Sequence, residues 1–167
     1  SGEASVITRQ ALPLSPDCVH WLGALARSAQ IAGAGAAALD LALKYGAERS
    51  QFGKPLSGFQ AIQHYLADLA GVVASVDAIA MAACVGLDQR GMAPQGRNAR
   101  FEIAAAKCRA SEAVEKLTRL SHQVHGAIGF TYEYGLHFLT RRLWAWRAEF
   151  GGAGEWGEYL GRAAADV

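Results

Sequence analysis

Residues 22–43 read LGALARSAQIAGAGAAALDLAL, and within them Leu22, Leu25, Ala29, Ala32, Ala36, Leu39 and Leu43 recur at alternating steps of three and four. That is the period of a helix burying one stripe in a bundle. The period returns three times. Phe59, Ile62, Leu66, Leu69, Val73, Val76, Ala80, Ala83 and Leu87 form a second seam. Ile103, Ala106, Ala110, Ala113, Leu117, Leu120 and Val124 form a third, and Leu136, Leu139, Leu143, Trp146 and Phe150 a shorter fourth. Breakers stand where the seams stop: Gly53-Lys54-Pro55, then Gly91 to Gly96, then Gly126 to Phe130. Proline cannot continue a helix and glycine permits the turn. Gly151-Gly152-Ala153-Gly154 ends the fourth seam, and Glu155 to Ala165 is expected to add one short helix. Three helices of about 30 residues would each run about 45 Å, and short connections make sequence neighbours antiparallel. Ser5 to Thr8 is the one β-like scrap. The expected fold is all-α: an up-and-down four-helix bundle with a short extra C-terminal helix over residues 16–167, preceded by a linker or remnant of another domain over residues 1–15.

The composition agrees and excludes several functions. The chain has 167 residues, enough for one well-cored domain, with 51% hydrophobic and 19% charged residues, so it is not disordered. Sixteen basic residues against fifteen acidic ones, with no basic run, argue against nucleic acid or a membrane surface as the main partner. A mean hydropathy of +0.09 predicts apolar surface covered by a partner. Cys18, Cys84 and Cys108 have neither disulfide nor zinc spacing and read as small core residues in a reducing compartment. No signal pattern opens the sequence, and Arg27, Gln30 and Asp40 interrupt the least charged stretch. A soluble, cytoplasmic protein is expected, with no membrane partner.

The first helix carries Gly23, Gly33, Gly35 and Gly46, each unfavourable by up to about 1 kcal/mol relative to alanine. Close approach of a neighbouring helix is favoured over a ligand as the reason. A di-iron site needs inward Glu residues and Glu-x-x-His pairs. Here Glu133 and His137 are four apart across a helix start, and His122 and His125 lie at a helix end with no seam carboxylate. The histidines read as cationic caps and Glu133 as a charge favoured by a helix N-terminus; no metal is expected. Trp144, Trp146 and Trp156 read as core rather than pocket lining. No Gly-x-Ser-x-Gly elbow, phosphate loop or dinucleotide fingerprint is present.

Two longer stretches carry more information. Ala38-Leu39-Asp40, Tyr45, Glu48-Arg49-Ser50-Gln51-Phe52-Gly53-Lys54-Pro55-Leu56, Phe59-Gln60-Ala61-Ile62-Gln63 and Leu66-Ala67-Asp68 follow one another in order. Gln123 to Tyr134, Leu136-His137 and Arg141-Arg142 come later, at a matching distance. Together these resemble the C-terminal domain of an acyl-CoA dehydrogenase over about residues 20 to 162. The resemblance implies FAD-dependent α,β-dehydrogenation of an acyl-CoA thioester and a place in a homo- or hetero-oligomer with another chain of that family. It also implies that the bundle reaches a neighbour's FAD through Arg49, Phe52, Phe59, Gln60, Gln123 and Gly126. The chemistry suits those positions: guanidinium forks match pyrophosphate oxygens, phenyl rings make an apolar wall, and amides bond polar edges.

The pattern fails at the base. Most members of the family place a glutamate in a Tyr-Glu-Gly-Thr turn after the fourth helix; the turn here reads Glu149-Phe150-Gly151-Gly152, so the position is Phe150. The other family location, on the first helix, falls at Gly23, and the arginine after it becomes Ala24. Gly152 and Gly154 replace polar residues on the flavin side. No catalytic residue is assigned, with Glu149 the candidate if the register slips by one. Retained cofactor positions without a base resemble the non-catalytic subunit of heteromeric acyl-CoA dehydrogenases of the kind associated with bacterial degradation of steroid side chains. The alternatives are a helical assembly scaffold without flavin and a homomeric dehydrogenase using Glu149.

Overall fold

Alanine-rich, leucine-bearing stretches give five helices: α1 (Cys18–Glu48), α2 (Gln60–Arg90), α3 (Arg100–His125), α4 (Leu136–Ala148) and α5 (Ala153–Ala165). The computed structural model describes residues 17–92, 98–132 and 134–165. The expected linker over 1–15, the β-like scrap at Ser5 to Thr8 and Glu133 lie outside the described residues. Two-residue strands β1 (Ser50–Gln51) and β2 (Lys54–Pro55) form a hairpin between α1 and α2 that helical periodicity could not reveal. Turns of 3-10 helix follow at Leu56–Gly58 and Gly126–Phe130.

α1 and α3 pack directly along each other, and α2 and α4 both pack on that pair. Small side chains allow this close approach. A Cβ added at Gly35 would stand 3.2 Å from Leu117 Cδ1, so the reading of glycine as a packing residue holds there. Gly33 differs: it is exposed and an added Cβ would meet nothing within 4 Å.

The third seam is buried at every position and the second along Leu66 to Ala83. The first seam is right only in part: Leu25 and Ala32 are buried and Leu39 packs against the core. Leu22, Ala29, Ala36 and Leu43 are exposed, while Trp21, Ala24, Ser28, Ile31, Gly35, Ala38 and Ala42 face inward. Ala and Gly fill 14 of the 31 positions of α1, so spacing alone fits more than one face; the buried Trp21 and Ile31 mark the true one. Cys84 is likewise exposed rather than a core residue. α2 is long and apolar enough to cross a membrane by length and composition, with a mean hydropathy of 2.0, and its Leu66–Val76 face is part of the bundle core.

Phe150 does not continue α4. The helix stops at Ala148, Glu149 is extended, and Phe150 adopts φ +56°. α5 begins two residues earlier than the sequence suggests, taking in Ala153 and Gly154.

Candidate functional site

Arg49 follows the last turn of α1, its N–H donating to Tyr45 O at 2.9 Å, and the chain then enters the hairpin. The register Ser50↔Pro55 and Gln51↔Lys54 leaves Phe52 and Gly53 as the two turn residues, at φ +50° and +79°. Glycine adopts that region freely; phenylalanine pays on the order of 1–2 kcal/mol for it. In this turn Phe52 is 92% exposed and its ring stands edge-on to Phe59 at 6.4 Å. Lys54 Nζ lies 4.2 Å over the Phe59 ring and donates to Gly58 O at 3.1 Å, bracing this aromatic ledge. Gln60, the first residue of α2, is exposed beside it.

Facing Arg49 is the end of α3. Gly126 ends that helix at φ +62°, and an added Cβ there would meet nothing within 4 Å, so its backbone is open to an approaching group. Tyr45, Arg49, Gln51, His125, Gly126, Ala127 and Ile128 line a cleft of about 430 Å³. Among the described residues the Arg49 guanidinium has no ion-pair partner. Gln123 and Gly126 also line a neighbouring groove of about 980 Å³ walled by His122, Phe130, Tyr132, His137, Arg141 and Trp144. The structure therefore brings Arg49 and Gly126 together, sets Gln123 in the next depression, and places Phe52, Phe59 and Gln60 on the adjoining ledge.

The histidines are not cationic caps. Burial pushes His125 below the ordinary imidazole value, against the opposing effect of Ser121 and Leu41 carbonyls. Its Nδ1–H donates to Ser121 O at 2.7 Å and its ring stacks on Tyr45 at 5.0 Å. Burial, then the nearby His125 and His137, lower His122 in the same way, and its ring stacks on Phe130 at 4.1 Å. A charge in either apolar setting is disfavoured, so both rings are neutral spacers of the cleft walls. Among the described residues no group of three or more His, Cys, Asp or Glu is placed to hold a metal. Of the tryptophans, Trp156 is buried, Trp146 packs against the core, and Trp144 lines the larger groove, contrary to a core reading of all three.

Gly23 and Phe150, the two positions to which the resemblance assigns a base, meet in space. A Cβ added at Gly23 would stand 2.6 Å from Cγ of Phe150 and closer still to two other ring carbons. The ring thus fills the volume that a side chain at position 23 would need. Glu149 points elsewhere: its Oε2 accepts from Arg27 Nε and Nη2, both at 2.6 Å, and that guanidinium lies 5.6 Å over Trp146. Lys107, fully buried on α3, bonds the carbonyls of Arg147 and Gly151 on either side of this turn. Its signal in the sequence is a lysine between Ala106 and Ala110 on a buried seam, four residues before Ser111, the pattern of a satisfied internal cation.

Comparisons with known proteins place the chain in a family. Residues 22–155 match the family described as acyl-CoA dehydrogenase, C-terminal domain, and the chain belongs to that family. It is 34% identical over 131 residues to acyl-CoA dehydrogenase IpdE2 of Mycobacterium tuberculosis, covering 78% of this chain and 38% of that protein. Among solved structures, butyryl-CoA dehydrogenase from Megasphaera elsdenii aligns with a TM-score of 0.80 at 26% identity, covering 89% of this chain and 37% of that one. The ChsE4-ChsE5 complex from Mycobacterium tuberculosis aligns with a TM-score of 0.72 at 25% identity, covering 90% of this chain and 39% of the matched chain. The chain therefore spans well under half the length of these relatives.

Proposed function

We propose that this bundle supplies the cross-subunit part of an FAD site in a cytoplasmic, oligomeric acyl-CoA dehydrogenase, and that it has no base of its own. The observation that carries the reading is the Arg49 guanidinium, without an ion-pair partner among the described residues, lining one cleft with the open Gly126 backbone beside an aromatic ledge that ends in Phe52 at φ +50°. These residues fit a dinucleotide. Arg49 offers a planar fork to phosphate oxygens, where a lysine would offer only a point charge. Gly126 lets a ligand touch backbone. Phe52 and Phe59 exclude water from one side, and the Gln123 and Gln60 amides are placed to bond polar edges. Bound FAD supplies the two-electron acceptor for α,β-dehydrogenation.

The reaction also needs a carboxylate to take the α-proton as hydride leaves the β-carbon. Neither family position here has one, and Phe150 closes the space between them. A companion chain of the same family, supplying the base and binding the acyl-CoA, completes the arrangement. Glu149 is a poor substitute, because its carboxylate oxygen is engaged by Arg27. The direct test is Arg49→Ala and Arg49→Lys in the assembled protein, reading FAD retained after gel filtration. Both variants are expected to lose flavin while keeping the oligomer, alanine more than lysine. Full retention in both overturns the reading and favours a scaffold.

A further inference from the structure

The turn between α4 and α5 is tied down by one side chain. Lys107 has no exposed surface, and its Nζ donates to Ser111 Oγ at 2.8 Å, Arg147 O at 2.9 Å and Gly151 O at 2.7 Å. An ammonium has three protons and no lone pair, so these bonds use it completely. This also removes Lys107 as a nucleophile, which would need a free pair aimed at open space. Ser111 Oγ donates in turn to Arg147 O at 3.0 Å. Arg147 belongs to the last turn of α4, whose carbonyls lack helical partners, whereas Gly151 lies beyond the helix at φ +90°. The lysine therefore bridges the two ends of the turn, with Glu149 and Phe150 in between. Trp156 Nε1 donates to Phe150 O at 2.9 Å and supports the same turn from α5.

Burying an ammonium is costly, and replacing buried charges by apolar groups is often neutral or favourable, so stability alone is a weak account of Lys107. Its bonds act on one place, the backbone that presents residue 150. We propose that Lys107 is a positioning residue: it fixes the α4–α5 turn so that residue 150 stands over Gly23, and with phenylalanine there it keeps the base space of this bundle shut. The functional meaning rests on the base-position reading above; the clasp itself rests on the hydrogen bonds.

The test measures whether Lys107 controls the contact between Phe150 and Gly23. In the full chain, Gly23→Ala is made alone, with Lys107→Met and with Lys107→Gln, and unfolding is followed in urea. With the clasp intact the ring cannot give way, and Gly23→Ala is expected to raise the unfolding constant roughly tenfold. Methionine has the length of lysine but no donor, so in that background the factor is expected to shrink at least fivefold. The same factor in all backgrounds, within twofold, overturns the proposal, because independent contributions add. Should Lys107→Met fail to fold, Lys107→Gln is read by hydrogen exchange. Faster exchange confined to the amides of residues 149–152 supports the clasp, and a uniform loss of protection overturns it. Failure of the base-position reading looks different: α-proton exchange from an acyl-CoA by this chain alone, with the clasp measurements as expected.

Discussion

Two glycines of α1, ten residues apart, should respond oppositely to alanine. Within a helix Gly→Ala is favourable by up to about 1 kcal/mol, because the unfolded chain loses freedom and the helix gains a good former. At Gly33 the new Cβ meets nothing within 4 Å, so Gly33→Ala should show that gain undiminished. At Gly23 it falls 2.6 Å from Phe150 Cγ and overlaps two further ring carbons. Overpacking of this kind costs about 1–3 kcal/mol when the neighbour is held, and the Phe150 carbonyl is held by Trp156. The two substitutions should therefore differ by the overpacking cost, about 1–3 kcal/mol, or several degrees in Tm. Adding Phe150→Ala should remove the Gly23→Ala penalty, giving a coupling above about 1 kcal/mol in a double-mutant cycle followed by urea unfolding. Equal stabilisation at both glycines, or a penalty at Gly23 that survives Phe150→Ala, would refute the placement of the ring.

Three other outcomes follow from the same physics. Phe52→Gly relieves the φ of +50° and should stabilise the fold by about 1 kcal/mol in thermal unfolding while lowering FAD retention, since the exposed wall is lost. Burial lowers Lys107 to about 8, against the opposing pull of Glu149 and Glu155. The unfolded chain therefore binds more protons between about pH 8 and the ordinary lysine value, and the stability of the wild type relative to Lys107→Met should rise with pH across that window. His122 and His125 are both lowered by burial, so each contributes stability that is present above the ordinary imidazole range and lost as pH falls through it. Replacing His125 by phenylalanine should flatten the stability profile on the acid side of the ordinary imidazole value.

The sequence was informative where residue size varied along a seam and poor where it did not. Leu117, Leu120, Val73 and Val76 share their seams with the smaller Ala110, Ala113, Ala80 and Ala83, and the faces read from them are buried. α1 has Ala or Gly at nearly half its positions, whose burial hardly differs in free energy from one face to the next, and the expected seam is buried only at Leu25 and Ala32. The hairpin at Ser50 to Pro55 is too short for any periodicity, and Phe52 in its turn contradicts local preference; such a conflict is expected at a functional position. The proposed cofactor positions could be named only through family motifs, since Arg49 and Gly126 are 77 positions apart by number and line one cleft only because the end of α1 lies beside the end of α3. That Phe150 lies on Gly23 was not legible, because φ at position 150 is set by bonds from Lys107 and Trp156 on other helices.

The central claim is that this bundle completes a flavin site shared with a different chain that carries the base. Native mass spectrometry of the protein purified with its tightly bound companion tests it most directly. The account predicts two different chains per assembly unit sharing one FAD, with the mass of the flavin lost on Arg49→Ala. A single chain type holding one FAD per copy and dehydrogenating an acyl-CoA unaided would contradict it.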